Sequence, residues 1–395
     1  MRRTAAFLRL GRSIVVLASL CSGAAGLVRA DFLVSEVQPA SGGSSTRIFG
    51  INNNRVATGE STTAYSNVAQ AIQSSGLAAA GLGFNTGGWS SRGLGINDSN
   101  VIVGQTQSYS PGGLVNRAFV YSDPNQGPKT LPGLAGGGSA IAQGVGNGGV
   151  IAGTAVGADG QNHAVTWDLQ GTIKNLGGFS PGGASQGFGV NGSGQVTGSA
   201  ALPQGGSQAF LYSPGQTPAA ASEFKNLGAL TKDGASQGNA VNDNGHVAGW
   251  SASDSGTSHA FAYLGQQMVD LQTSLFKGWS SQALSINNSD WVVGQLSLSG
   301  GGSSAFLWTA ASGMVNLNSL VSNLSGWSLE SATGINDHGQ IVGYGLLNGK
   351  TRGFILDPVA VSAVAPTPEP SSLLLCALAT VTLGVGRLMR RKRES

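Results

Sequence analysis

The sequence predicts an all-β protein, a seven-bladed β-propeller closed by one blade split between its N- and C-terminal segments. Three observations predict it. One short phrase recurs seven times at a nearly constant interval. Each interval holds four short strand-like runs and no helical pattern. The first strand-like run of the chain stands where the last repeat breaks off. An N-terminal signal peptide and a C-terminal hydrophobic helix are predicted to flank the repeats.

The phrases are GINNNRVATGE (50–60), GINDSNVIVGQ (95–105), GVGNGGVIAGT (144–154), GVNGSGQVTGS (189–199), AVNDNGHVAGW (240–250), SINNSDWVVGQ (285–295) and GINDHGQIVGY (334–344). Their closing glycines are Gly59, Gly104, Gly153, Gly198, Gly249, Gly294 and Gly343, separated by 45, 49, 45, 51, 45 and 49 residues. Such a period marks a repeat architecture with variable loops. Each phrase reads as a hairpin. In the last copy Ile335 ends a strand, and Asn336, Asp337, His338 and Gly339 supply turn chemistry, since Asn and Asp tolerate the left-handed region and Gly takes positive φ freely. Ile341 and Val342 open the return strand, and Gly343 inside it predicts a close backbone approach.

A second element follows six of the seven closing glycines: RAFVY (117–121), HAVTW (163–167), QAFLY (208–212), HAFAY (259–263), SAFLW (304–308) and RGFIL (352–356). Its Phe and the residue two further on share one face of a strand. A short strand ending in Leu comes next, as in IKNLGG or MVDLQT. Four antiparallel strands per 40–50 residues is the pattern of a propeller blade. The chain opens after its leader with FLVSEVQPASGGSSTRIFGIN, which aligns with TIKNLGGFSPGGASQGFGVN (172–191), a last strand followed by a first strand. The final copy stops at RGFILD, before its own fourth strand. Six whole units and one split unit make seven blades, and a ring closed in this way leaves no free edge.

Composition agrees. The chain has 395 residues with 64 glycines and 10 % charged residues. A disordered coat can share that composition, but it has no reason to keep apolar residues at fixed intervals. Basic residues crowd both ends, and residues 31–360 carry 11 Lys and Arg against 16 Asp and Glu, a net of −5. A mildly acidic body does not support nucleic-acid binding. Cys21 and Cys376 both lie in the end segments, so the body has no disulfide and no thiolate metal site.

Residues 1–30 have a basic start from Met1 to Arg12, an apolar run from Ile14 to Leu20 and a small-residue exit at Val28-Arg29-Ala30. That is the form of a secretory signal with cleavage after Ala30. Residues 31–358 hold the repeats and 359–367 a linker. Residues 368–395 begin with Pro368-Glu369-Pro370, continue without charge from Ser371 to Gly386, and end in Arg390, Arg391, Lys392 and Arg393. A helix over those uncharged residues is about 24 Å long, and Leu388 and Met389 extend it toward the ~30 Å of a membrane core. The basic cluster places the cytoplasm beyond the helix and the body outside.

Two resemblances follow from these residues. Pro-Glu-Pro, an apolar helix and an Arg-rich tail resemble a PEP-CTERM sorting signal. That implies Gram-negative export machinery, processing of the tail by an exosortase-like enzyme, and transient anchoring in the inner membrane on the way to the surface or extracellular matrix. The pattern G-I-N-x-x-G-x-V-x-G, then H-A-F-x-W and N-L-G, resembles the extracellular HAF repeat family over residues 32–358. His163-Ala164 and His259-Ala260-Phe261 keep its namesake triplet most closely. This resemblance implies location and architecture, and no activity.

Chemistry-bearing residues are few. His163, His246, His259 and His338 occupy positions that hold Arg, Gln, Ser or Asn in other repeats, which favours structural roles. Asp98, Asp243 and Asp337 occupy the second turn position, where Asn or Gly stands in other copies. Calcium prefers several carboxylates, and Asx-turns explain these residues without a metal. No metal or cofactor is expected. Loops entering the first strand carry Gly-Trp-Ser at Trp89, Trp279 and Trp327. Exposed on one face, these indoles would stack on sugar rings; buried, they would pack between blades. The expectation is a non-enzymatic surface protein that binds or organises extracellular material, polysaccharide first, with these tryptophans as ligand-stacking candidates. A glycan-active enzyme on a propeller scaffold would instead show carboxylates with His or Tyr at the channel mouth. A structural matrix protein without a ligand would show the same fold with buried tryptophans.

Overall fold

The computed structural model describes residues 31–64, 66–83, 90–110, 113–215, 224–272, 274–297 and 300–359. The expected signal peptide with its Ala30 cleavage site, the expected sorting tail from Pro368 to Arg393 and Trp89 lie outside the described residues. Seven four-stranded antiparallel sheets stand around one axis, with no α-helix among the described residues. Their innermost strands are, for blades one to seven, Thr46–Ile51, Ser91–Ile96, Ala140–Val145, Ser185–Val190, Ser236–Val241, Ser280–Ile286 and Trp327–Ile335.

Blade seven is the split one. Its outer strand is Asp31–Val37, paired antiparallel with Lys350–Val359 so that Leu33 faces Asp357 and Val37 faces Gly353. Phe32 is fully buried there, and its backbone bonds Leu320 and Ser322 on the other side. Arg352 Nε donates to Glu36 at 2.8 Å, adding a charged tie across the same seam. The first and last described strands thus complete one sheet, and with it the ring of seven sheets.

The closing glycine of each phrase has a specific cause. At Gly294 an added Cβ would overlap the Gln282 carbonyl oxygen of the adjacent innermost strand, and it would come within 2.8 Å of the Phe306 ring. The other six closing glycines meet the same carbonyl position. The ring over the glycine is the Phe of the second motif, as with Phe261 over Gly249 and Phe354 over Gly343. In blade three, where Val165 replaces that Phe, Trp167 two residues on reaches Gly153 instead. The two motifs are therefore one packing unit.

Beside each glycine the innermost strand slips register by one residue, as between Ala283 and Ser285 or Ala142 and Gly144. The extra residue of such a bulge leaves the ladder and re-aims its side chain. Here the extra residues (Leu284 and Gln143 in those blades) line the central channel.

The core is distributed between blades. One cluster joins Ala248, Ala260 and Ala262 of blade five to Ala283, Ile286, Val292 and Phe306 of blade six. Buried polar ties accompany it. Ser281 Oγ accepts from Ala260 N at 2.8 Å, and Ser91, Ser185 and Ser236 do the same for Ala71, Ala164 and Ala209. The Ala of the second motif thus supplies a backbone donor to the next blade.

Candidate functional site

The channel has two different ends. At one end the seven hairpin turns meet and enclose a polar cavity of about 150 Å³. The first turn residue is Asn in six blades. Each of these asparagines is nearly fully buried. Asn287 shows the arrangement: its Oδ1 accepts from Ser289 N and Trp291 N, closing the turn, while its Nδ2 donates to the Asn336 carbonyl of the next blade at 3.0 Å. Asn52, Asn97, Asn191, Asn242 and Asn336 repeat the bridge, at 2.8 to 3.1 Å. Asn336 reaches Asn52 and so carries the belt across the closing seam.

The second turn position makes a parallel belt. Asn53 N donates to Asp98, Asp98 N to Asn147, Gly192 N to Asp243, Asp243 N to Asn288, Asn288 N to Asp337 and Asp337 N to Asn53. The carboxylates considered for calcium are engaged in this way. Asp98 accepts from Asn53 N, Asn53 Nδ2 and Asn147 Nδ2, and Asp337 from Asn288 N, Asn288 Nδ2 and Asn53 Nδ2. Among the described residues no three His, Cys, Asp or Glu side chains gather as a metal would need. Both belts stop at the junction of blades three and four, where glycine replaces the bridging residue at Gly146 and Gly192. A Cβ on Gly146 would overlap the Asn191 carbonyl oxygen, so direct backbone approach substitutes for the side-chain bridge.

Two further groups at this end are charged. Arg55 donates to both carboxylate oxygens of Asp357, at 3.0 and 2.6 Å, and Gln340 Nε2 donates to the same carboxylate. The Arg55 hydrogen bond holds the Asp357 carboxyl below the usual carboxylate range and raises the guanidinium in turn. This pair joins the turn of blade one to the third strand of blade seven. Histidines pair with carboxylates: His163 with Asp159 and His259 with Asp270 within their blades, and His246 of blade five with Asp290 of blade six, at 2.8 to 3.0 Å. The backbone N–H of Gln161 and the His163 side chain lower the Asp159 carboxyl.

At the other end the loops enter the innermost strands and the blades differ. The residue after the closing glycine is Glu60, Gln105, Thr154, Ser199, Trp250, Gln295 or Tyr344, for blades one to seven. Glu60 is buried yet accepts from Arg47 of its own blade at 3.1 Å and Arg92 of blade two at 2.7 Å. Both arginines are nearly half exposed. Arg47 lies 5.4 Å above the Tyr344 ring, and Phe49 meets that ring edge-on. With a guanidinium on each oxygen, Glu60 is a clamp for two arginines rather than a free base. Between blades five and six a cleft of about 210 Å³ opens, lined by Trp250, Ser258, Ser280, Ser281, Gln282, Gln295 and Ser297.

Trp279 and Trp327 are half-buried in separate blades. Trp279 packs on Phe276, 5.5 Å between ring centres, against the cluster between blades five and six. Trp327 meets Phe354 edge-on at 6.1 Å, against the cluster that includes Phe32. The Trp250 cleft was not singled out from sequence. Its signal was present as the single Trp in the column after the closing glycine.

A family model described as a protein of unknown function (DUF3466) matches residues 183–357, the last four blades. No curated protein matches the chain. Among solved structures, TolB from Acinetobacter baumannii is 13 % identical with a TM-score of 0.43, and the match covers 65 % of this chain and 63 % of TolB. A puromycin hydrolase mutant complexed with PGG is 13 % identical at a TM-score of 0.48, over 79 % of this chain and 52 % of that one. A mutant of the Aleuria aurantia lectin in complex with alpha-methyl-L-fucoside is 10 % identical at 0.33, over 73 % and 96 %. This chain thus spans less than two thirds of the first two structures' length. None of these likenesses transfers a residue role or an activity.

Proposed function

We propose that this protein is exported through its N-terminal signal, sorted to the surface by its PEP-CTERM-like tail, and acts there without catalysis by binding or organising extracellular material, polysaccharide first. An exosortase-like enzyme would be its processing partner. One observation carries the reading: the bridging turn asparagines repeat from blade to blade at one end of the channel, while the residue after the closing glycine changes from blade to blade toward the other. The repeated asparagines bridge blades at the turn end. The departures, Arg47, Glu60, Arg92, Trp250 and Tyr344, gather toward the loop end. In a repeat ring, identical residues serve the interfaces between units, and per-repeat variation falls on the binding face.

The test is retention of the purified full-length chain on extracellular polysaccharide and on a glycan array. Arg92→Gln and Trp250→Ala alter the loop end, and His338→Ala alters the turn end as a control. The expected result is retention weakened by at least one of the first two and unchanged by the third. Retention indifferent to every loop-end change, or no retention at all, refutes the binding reading. A chain truncated before Pro368 is expected to miss the cell surface, as followed by surface labelling.

A further inference from the structure

We propose that the cleft between blades five and six is a subsite for one neutral sugar ring. The inference rests on the binding role of the loop face and names a site and ligand class within it. Trp250 supplies one wall from blade five; Gln282 and Gln295, directly paired on adjacent strands of blade six, supply another. Ser258, Ser280 and Ser297 stand at the strand ends around them.

No lining residue is ionisable. Among the described residues the side-chain amides of Gln282 and Gln295 make no hydrogen bond to protein, although both residues are partly buried. By contrast, Gln237 at the register of Gln282 in blade five bonds Asn239 at 2.8 Å, and Arg92 at that register in blade two bonds Glu60. The cleft therefore keeps an indole and two amides with hydrogen-bonding capacity to spare.

That chemistry selects its ligand. An ion would find no opposite charge. A purely apolar ligand would strand both amides without hydrogen-bond partners. A pyranose ring presents C–H groups on a face, which lie well against an indole, and hydroxyls at its edge, which pair with amides and serines. At about 210 Å³ the cleft is below the ~300 Å³ at which sites for drug-sized ligands begin, so it suits a single ring. In the corresponding space between blades one and two, the Glu60–Arg92 pair stands instead.

The experiment is a glycan array followed by titration calorimetry on the full-length chain, with neutral hexose oligosaccharides in one arm and uronate-containing ones in the other. Expected are binding of a neutral glycan, at least a tenfold loss with Trp250→Ala, and a smaller loss with Trp250→Phe, which keeps an aromatic face. The Gln282→Ala/Gln295→Ala double variant removes amides that hold nothing in the protein. It should weaken binding at an unchanged melting temperature, and so decides the matter even if Trp250→Ala fails to fold. Neutral-glycan binding unaffected by the double variant and by Trp250→Ala overturns the assignment. Binding confined to uronates and weakened by Arg92→Gln also overturns it, while leaving the loop-face reading in place. Absence of any glycan binding overturns both.

Discussion

Replacing Asn287 with Ala measures what the turn-end belt contributes. The side chain is 4 % exposed and makes three hydrogen bonds: two close its own turn and one reaches the Asn336 carbonyl of blade seven. Each is worth about 0.5–1.5 kcal/mol net. The Ser289 N–H lies in an exposed turn and recovers water, and the Asn336 carbonyl keeps its bond from Gly339 N. The loss is therefore about 2–3 kcal/mol. At roughly 2.1 cal/mol/K per residue, a ring of about 330 residues loses some 0.7 kcal/mol per degree near its midpoint, so melting falls by about 3–4 °C. Asn287→Asp separates the two roles. It keeps the acceptor that closes the turn but turns a carboxylate oxygen toward the Asn336 carbonyl. Burial beside that carbonyl would raise its folded-state pKa, so the added instability appears as pH rises through that value and fades in acid, where a protonated oxygen donates. Calorimetric melts at several pH values read both effects. A change under one degree for Asn287→Ala, or a pH-independent Asn287→Asp, would refute the belt as a stabilising device.

Phe32→Ala empties a fully buried site on the closing strand and should cost about 3–5 kcal/mol, read as a lowered denaturant midpoint; a neutral result would mean that Asp31–Val37 does not hold the ring. Gly294→Ala drives a methyl into the Gln282 carbonyl and should destabilise by at least the ~1–3 kcal/mol of overpacking, whereas Gly300→Ala, with no atom near its Cβ position, should be near neutral in the same melts. Asp357→Asn removes the charged tie to Arg55. Because the folded carboxyl is held low, its contribution is present above the ordinary carboxylate range and disappears as pH falls through the lowered value. The pair, each side chain a third exposed, is worth up to about 1 kcal/mol, so wild type and variant should differ at pH 7 and converge only once the pH has fallen below the lowered folded-state value.

The sequence by itself determined the repeat, the number of blades and the ring closure, because each depends on spacing along the chain. A 45- to 51-residue interval with turn chemistry at a constant place can be counted, and a missing fourth strand at one end matched to a spare strand at the other. Gly343 could be read as a close approach, but its partners, the Ser331 carbonyl of the innermost strand and the Phe354 ring, could not. What tertiary structure alone decided is which side chains meet across blades. Asn287 and Asn336 are 49 residues apart and bond directly, and at Gly146 the belt breaks where the Asn191 carbonyl oxygen occupies the place of a Cβ. The tryptophans chosen by their shared Gly-Trp-Ser context divide accordingly: Trp279 and Trp327 rest on phenylalanines from neighbouring segments, while Trp250, which lacks that context, lines the open cleft. Local pattern specifies what a strand is, but whether its side chain ends against a ring or an opening depends on the blade beside it, and that neighbour is brought by closure of the wheel.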